Sequence, residues 1–412
     1  MAKFRSLALS AAFVLVASTI LAACQTPLTV EQVHSTLQMS VDQTITSMPT
    51  SAATPTFTTT PTVTTTPTPT VTPTPQPVQY GPTNFPDNID PLTGLAVADP
   101  AIMNRRPVMV KVSNFPRTAR PHAGLSFADI VFSYYIGQGG NRYLALYYGQ
   151  DSTQVGSVRS GRYIDRWLVS MYQGVLAFVS AWKPELDAIY AQLGDRAITY
   201  GENNPAFFTV GTTNPSDADY VNRVMVNTAE MTKYYASLPS ADNSKPNLDG
   251  MAFSTIPPTG GVDGHEVTMQ FHTTNLENWR YDASTKKYLR WIDSEDANNN
   301  ITLIPLIDRD TNQQLAFSNV IMIWAHYVTL NGDDSMHEVT LPGNSGKMLL
   351  FRDGQEFEGK WKGVSTNGPI QFFDANNQPM QLQPGNSWIA VTGSTSLVQQ
   401  DTPGVWTVVF SK

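Results

Sequence analysis

The chain has 412 residues, 41% of them hydrophobic and 10% aromatic, which is enough for an ordinary core of domain size. With 26 Lys and Arg against 34 Asp and Glu the formal net charge is −8, and removing Lys3 and Arg5 with a signal segment makes it more negative still, so charge does not recruit nucleic acid. The only cysteine is Cys24, which excludes an intramolecular disulfide, a thiolate zinc site and a cysteine nucleophile in the residues beyond it.

Lys3 and Arg5 precede the apolar run SLALSAAFVLVASTI, and Leu21-Ala22-Ala23-Cys24 follows it. The run is short for a membrane span of about 20 apolar residues, and a small-residue cleavage site stands where a stop-transfer flank would be. Residues 1–23 are therefore expected to be a lipoprotein signal peptide, with Cys24 the acylated N-terminus. Such a protein is extracytoplasmic and meets the membrane through its lipid. No polybasic patch adds to the anchor.

From Thr44 to Val78 the sequence is a tract of Thr and Pro without a charged residue. It buries too little to order itself and forms neither helix nor ladder, so residues 24–80 are expected to be a disordered Thr/Pro-rich stalk. At roughly 3.1 Å per residue, about thirty such residues reach up to roughly 90 Å.

Beyond it, PVMVKVSN (107–114) alternates at period two and reads as a strand; ADIVFSYYI and RYLALYYG read as two more, joined by the tight turn GQGGN. GRYIDRWLVSMY (161–172) has helical spacing, VLAFVSAW (175–182) is a buried strand, and KPELDAIYAQLG is a short helix with Pro184 near its start. Pro, Gly, Asn and Asp crowd residues 238–264, where the domain boundary is placed. The rest is a succession of strand patterns from HEVTMQFHT to TPGVWTVVF. The expected fold class is α+β: an N-terminal α/β domain with a mixed sheet over 81–258 and a mostly-β C-terminal domain over 259–412.

Candidate binding residues gather in the first half. Arg159, Ser160 and Arg162 lead into a helix N-terminus, where cations oppose the macrodipole unless an anion or a carboxylate sits there. Arg120, His122 and Asp129, with Asn114 and Arg142, are expected to face the same cleft. Ser284-Thr285-Lys286-Lys287 matches S-x-x-K but falls in a hairpin turn with no Lys-Thr-Gly elsewhere, and no G-x-S-x-G or H-E-x-x-H occurs. Trp182, Trp324, Trp388 and Trp406 lie in apolar strand patterns and are expected in the core. No catalytic residue, metal ligand or cofactor is assigned.

PLTGL (91–95), RPVMVKVSN, ARPHAGLSFADIVF, GGNRYLALYYG and VRSGR, with FSNVIMIW, GKWKG and PGNSWIAV later, resemble the YerB-like family of bacterial lipoproteins, built of an N- and a C-terminal domain of unknown function. The resemblance implies an anchored envelope protein linked to cell-wall synthesis. Where the family carries an acid before the motif Asn this chain has Ser113; Ser133 and Gln138 replace two glutamates, and Val224-Met225-Val226-Asn227 lacks a histidine. The expected function is a lipid-anchored extracytoplasmic protein that binds a cell-wall component or an envelope protein, through Asn114, Arg120, Asp129, Arg142, Arg159, Ser160 and Arg162. The alternative is a cell-wall hydrolase or transferase using carboxylates of the N-terminal domain, Asp129 and Asp165.

Overall fold

The computed structural model describes residues 78–412 except residue 202. The expected signal peptide, Cys24 and nearly all of the expected stalk lie outside the described residues. Its last residues are ordered: Gln79–Tyr80 pairs antiparallel with Ala252–Ser254, which runs parallel to Gln381–Leu382.

The protein is mostly β. Its principal sheet has 11 strands, and seven consecutive ones position everything that follows: Ser345–Arg352, Asn319–Ala325, Ser387–Gly393, Ile130–Gly137, Gly140–Tyr147, Val108–Ser113 and Val175–Phe178. Ser387–Gly393 runs parallel to both of its neighbours. Each of its seven residues is buried, as is each residue of Asn319–Ala325. Such unbroken apolar runs suit strands covered on both faces.

The two faces have different covers. Three α-helices occur among the described residues: α1 (Tyr163–Met171), α2 (Lys183–Leu193) and α3 (Thr228–Ala236). Helix α1 lies on the face presenting Lys111, Phe132 and Tyr134, where Phe132 meets Tyr172 edge-on at 5.4 Å. The opposite face presents Ser133, Asn141 and Tyr143 to a second sheet of seven strands, whose centre is Glu266–His272, Asn275–Asp282 and Lys287–Glu295. Trp388 sits in that interface, edge-on to Tyr143, Trp279 and Phe317.

The expected α/β part and β part share one principal sheet. The strands before residue 258 form one contiguous block and those after residue 259 another, and the two blocks join edge to edge within one sheet, so the two parts of the sequence bury a common core. The junction is the parallel pairing of Ser387–Gly393 with Ile130–Gly137, which satisfies the free edge each block would otherwise expose.

Several local readings agree with the structure. Ile130–Gly137 and Gly140–Tyr147 form the expected hairpin, with Gln138 (φ 51°) and Gly139 (φ 74°) both left-handed, as a two-residue primed turn requires. Ser284 and Thr285 are tied to Asp282 in a turn, which accounts for the S-x-x-K match without chemistry. Helix α3 went unread although Asn227 and Glu230 spell its start; the Asn227 side chain accepts from the Glu230 amide at 3.1 Å. Trp388 and Trp324 are buried as expected, whereas Trp182 is 54% exposed and Trp406 half-buried. Trp182 ends an apolar run, but the strand stops at Phe178 and the indole stands at the N-cap of α2.

Candidate functional site: an arginine cluster over two helix N-termini

The expected site residues fall in three places, decided by which face of the sheet each side chain leaves. Alternation sends Lys111 and Arg142 to the helical face and Asn114 to the other.

On the helical face Lys111 and Asp165 are both wholly buried, with Nζ 3.2 Å from Oδ1. Tyr134 donates its hydroxyl to the same carboxylate. The other oxygen of Asp165 accepts the Arg162 amide at 2.6 Å, so Asp165 caps α1 from its first turn. Burial, opposed by Asp165 and reinforced by Arg142 and Arg162, brings the Lys111 ammonium down to about 7.

Above this buried pair stand three arginines. Arg142 donates to the Ser160 carbonyl at 2.8 Å; burial first, then Arg162 and Arg159, lower it to about 9. Arg162 lies 3.3 Å from Glu185, whose carboxyl burial pushes up to about 7. Arg159 is fixed by its backbone, its amide donating to Lys111 and its carbonyl accepting from Val179. Its guanidinium enters no ion pair among the described residues, and its Nε is buried without a hydrogen-bond partner. Burial and Arg162 lower its pKa. Four cations here face two carboxylates, Asp165 and Glu185, in a chain that is acidic as a whole.

Two helix N-termini meet at this point. The Gly161 amide donates to Ser180 at 2.7 Å, which brings the segment before α1 against the segment before α2. Trp182 caps α2 without a side-chain hydrogen bond. The outcome is a surface of guanidinium groups, the half-buried Ser160 and the exposed Trp182, with two helix dipoles behind it. Arg166, one turn on, is occupied by Glu338 at 2.6 Å.

Asn114 and Arg120 lie apart from this cluster, in the interface between the sheets. Asn114 donates to Asn141, which donates to Glu277; Ser133 donates to the other Glu277 oxygen. Arg290 pairs with Glu277 at 3.2 Å, both wholly buried, and lies over the rings of Trp279 and Trp388. Arg120 reaches Asp293 at 3.0 Å and the Asn114 side chain at 2.9 Å. His122 is wholly buried, donates from Nε2 to the Ser113 carbonyl at 2.9 Å, and is held down to about 3 by burial, then Arg120. These groups join the two sheets, and Arg120 and Asp293 also line a small cleft of about 310 Å³.

Asp129 occupies a third position. It accepts the Tyr148 and Gly149 amides at 2.5 and 3.1 Å, beside Asp90, whose carboxyl accepts from Leu92 and Thr93. Burial, then Asp90, raises Asp129, and burial pushes Asp90 up to about 6. Both line a cleft of about 520 Å³.

Of the residues in this cluster, the sequence points to Arg142, Arg159, Ser160 and Arg162 but not to Lys111, Trp182 and Glu185. Lys111 occupies the polar slot of an alternating strand and therefore reads as solvent-facing. Only the helix over it makes it interior.

The fold and site define a mostly-β protein of two stacked sheets, one bearing a helix-covered, arginine-rich face. The chain belongs to the DUF3048 family: the model of its N-terminal domain of unknown function matches residues 92–241 and that of its C-terminal domain residues 267–389. The fold is similar to the crystal structure of the YerB protein from Bacillus subtilis, at 24% identity and a TM-score of 0.56, over 74% of this chain and 96% of that one. None of the curated proteins matches the chain.

Proposed function

We propose that the protein is a lipid-anchored, extracytoplasmic envelope protein that binds an anionic group of a cell-wall component through Arg142, Arg159, Ser160 and Arg162. The observation that carries this reading is Arg159: a partly desolvated guanidinium without a carboxylate among the described residues, held beside two further arginines at the N-terminus of α1. An incoming phosphate or carboxylate gains charge-assisted bonds and relieves repulsion that already exists. The anchor rests on Leu21-Ala22-Ala23-Cys24 alone.

The test is sedimentation with isolated sacculi, before and after removal of their anionic polymers. Retention that falls with salt, with polymer removal and in Arg159→Ala with Arg162→Ala supports the reading; retention indifferent to all three overturns it. Release of muropeptides would favour the hydrolase alternative. Its best-placed carboxylates are Asp129 and Asp90, since Asp165 is sealed beneath Lys111 and Tyr134.

A further inference from the structure

A second cleft, on the far part of the principal sheet, has an unrelated chemistry. It measures about 760 Å³, larger than the one at Asp129, and is lined by Pro258, Val262, Glu356, Phe357, Met380 and Trp406 among others. Glu356 is 3% exposed, and its Oε1 is buried with no hydrogen-bond partner. A buried polar atom left unpaired costs about 1–3 kcal/mol, so it marks a place where a partner is missing.

The wall around Glu356 is rigid. Glu356 stands directly across from Phe351 in the antiparallel pair Ser345–Arg352 and Gln355–Lys362, which puts both side chains on one face. Trp406 packs edge-on against Phe351 at 6.3 Å. Its indole N–H is already spent on the Asp263 carbonyl at 2.9 Å, so the ring is oriented and offers only its face and edge to the cleft. Asp374 is turned into its own loop, accepting the Asn376 and Gln378 amides at 2.9 and 2.7 Å. Lys347, the cation nearest Glu356, is engaged with Glu358 at 3.1 Å. No Lys or Arg lines the cleft.

That set excludes an anion, which would meet carboxyl groups with no cation to offset them. It suits a group with an apolar face for the indole and a hydroxyl for the carboxyl. We propose that this cleft binds an uncharged pyranose unit of a glycan, stacked on Trp406 and hydrogen-bonded to Glu356. Burial, with Glu358 beside it, pushes the Glu356 carboxyl up to about 7, so below that pH it is a neutral acid able both to donate to and to accept from a sugar hydroxyl. The proposal does not depend on the arginine cluster, which lies on other strands.

The experiment is a titration of the purified protein at pH 6 with tetraacetylchitotetraose and with cellotetraose, both uncharged, followed by calorimetry and tryptophan fluorescence. Saturable binding of either is expected. Losing the indole in Trp406→Ala should weaken it by about tenfold. Glu356→Ala should weaken it as well, and Glu356→Gln should largely restore it, because the amide keeps a donor and an acceptor. Trp406→Phe, which keeps the packing on Phe351, serves if the alanine variant fails to fold. Arg159→Ala with Arg162→Ala should leave this binding unchanged, which separates the two sites. Absence of binding by both oligosaccharides, binding undiminished in the Trp406 variants, or tighter binding of putrescine than of either sugar would overturn the proposal.

Discussion

Lys111 and Asp165 form an ion pair at 3.2 Å with both side chains wholly out of water, one on a central strand and the other in the first turn of α1. The pair fixes the helix whose N-terminus lies beneath the arginine cluster. It also makes that helix dependent on one carboxylate.

Asp165→Ala should therefore be strongly destabilising. It leaves the buried Lys111 amine without its carboxylate, so that the amine must shed its proton or remain an unpaired charge, and it uncaps α1, an expected loss of about 3–5 kcal/mol in urea unfolding. Adding Lys111→Met should recover much of it, since an apolar side chain needs no partner there. A single variant as stable as the parent would mean that the pair contributes nothing.

Arg159→Ala should behave in the opposite way. With no carboxylate to orphan and two like charges beside it, its removal should change stability by no more than about 0.5 kcal/mol while binding to sacculi falls. Thermal unfolding and sedimentation on the same preparation separate the two effects. A large drop in melting temperature would assign Arg159 to the scaffold.

Acid should act through His122. Its folded pKa, about 3, lies below the unfolded value of 6.5, so the neutral ring is the favoured form. The stability tied to it is complete above pH 6.5 and is lost as pH falls from there towards 3. Arg120, Arg290 and Arg309 all oppose the charged ring. At pH 4 the cost is about 3 kcal/mol, and in His122→Gln the stability difference between pH 7 and pH 4 should shrink by that order.

Asp90 should give the opposite slope. Its folded pKa, about 6, lies above the ordinary 3.8, so its contribution is complete below 3.8 and is lost as pH rises through 6. Asp90→Asn should flatten the stability profile between pH 4 and pH 7 while leaving the acid limb to His122. An unchanged profile would show that the carboxyl ionises freely where it stands.

What was legible in the sequence was short in range. The hairpin at Gln138-Gly139, helices α1 and α2 and the strand periods all follow from patterns within a dozen residues, and so does the crowding of Arg159, Ser160 and Arg162 at a helix start. What was not legible depended on the cover over each strand. Asn114 and Arg142 are expected in one cleft because both are polar and neighbouring, yet strand alternation places them on opposite faces. Trp182 follows an apolar pattern but lies beyond the end of its strand, and Trp406, paired on both sides, stays half-buried on its sheet. Glu356 reads as one more charged residue of an edge hairpin; its isolation appears only when the surrounding loops are in place.

The strand Ser387–Gly393 brings Trp388 to Ser133, 255 residues earlier in the chain, at 3.0 Å. A chain made from its N-terminus therefore exposes one long apolar edge, Ile130–Gly137, until Ser387–Gly393 has emerged. Assembly of this edge waits on a strand 255 residues later, and loss of Ser387–Gly393 would disable the first half of the protein as surely as a lesion within it.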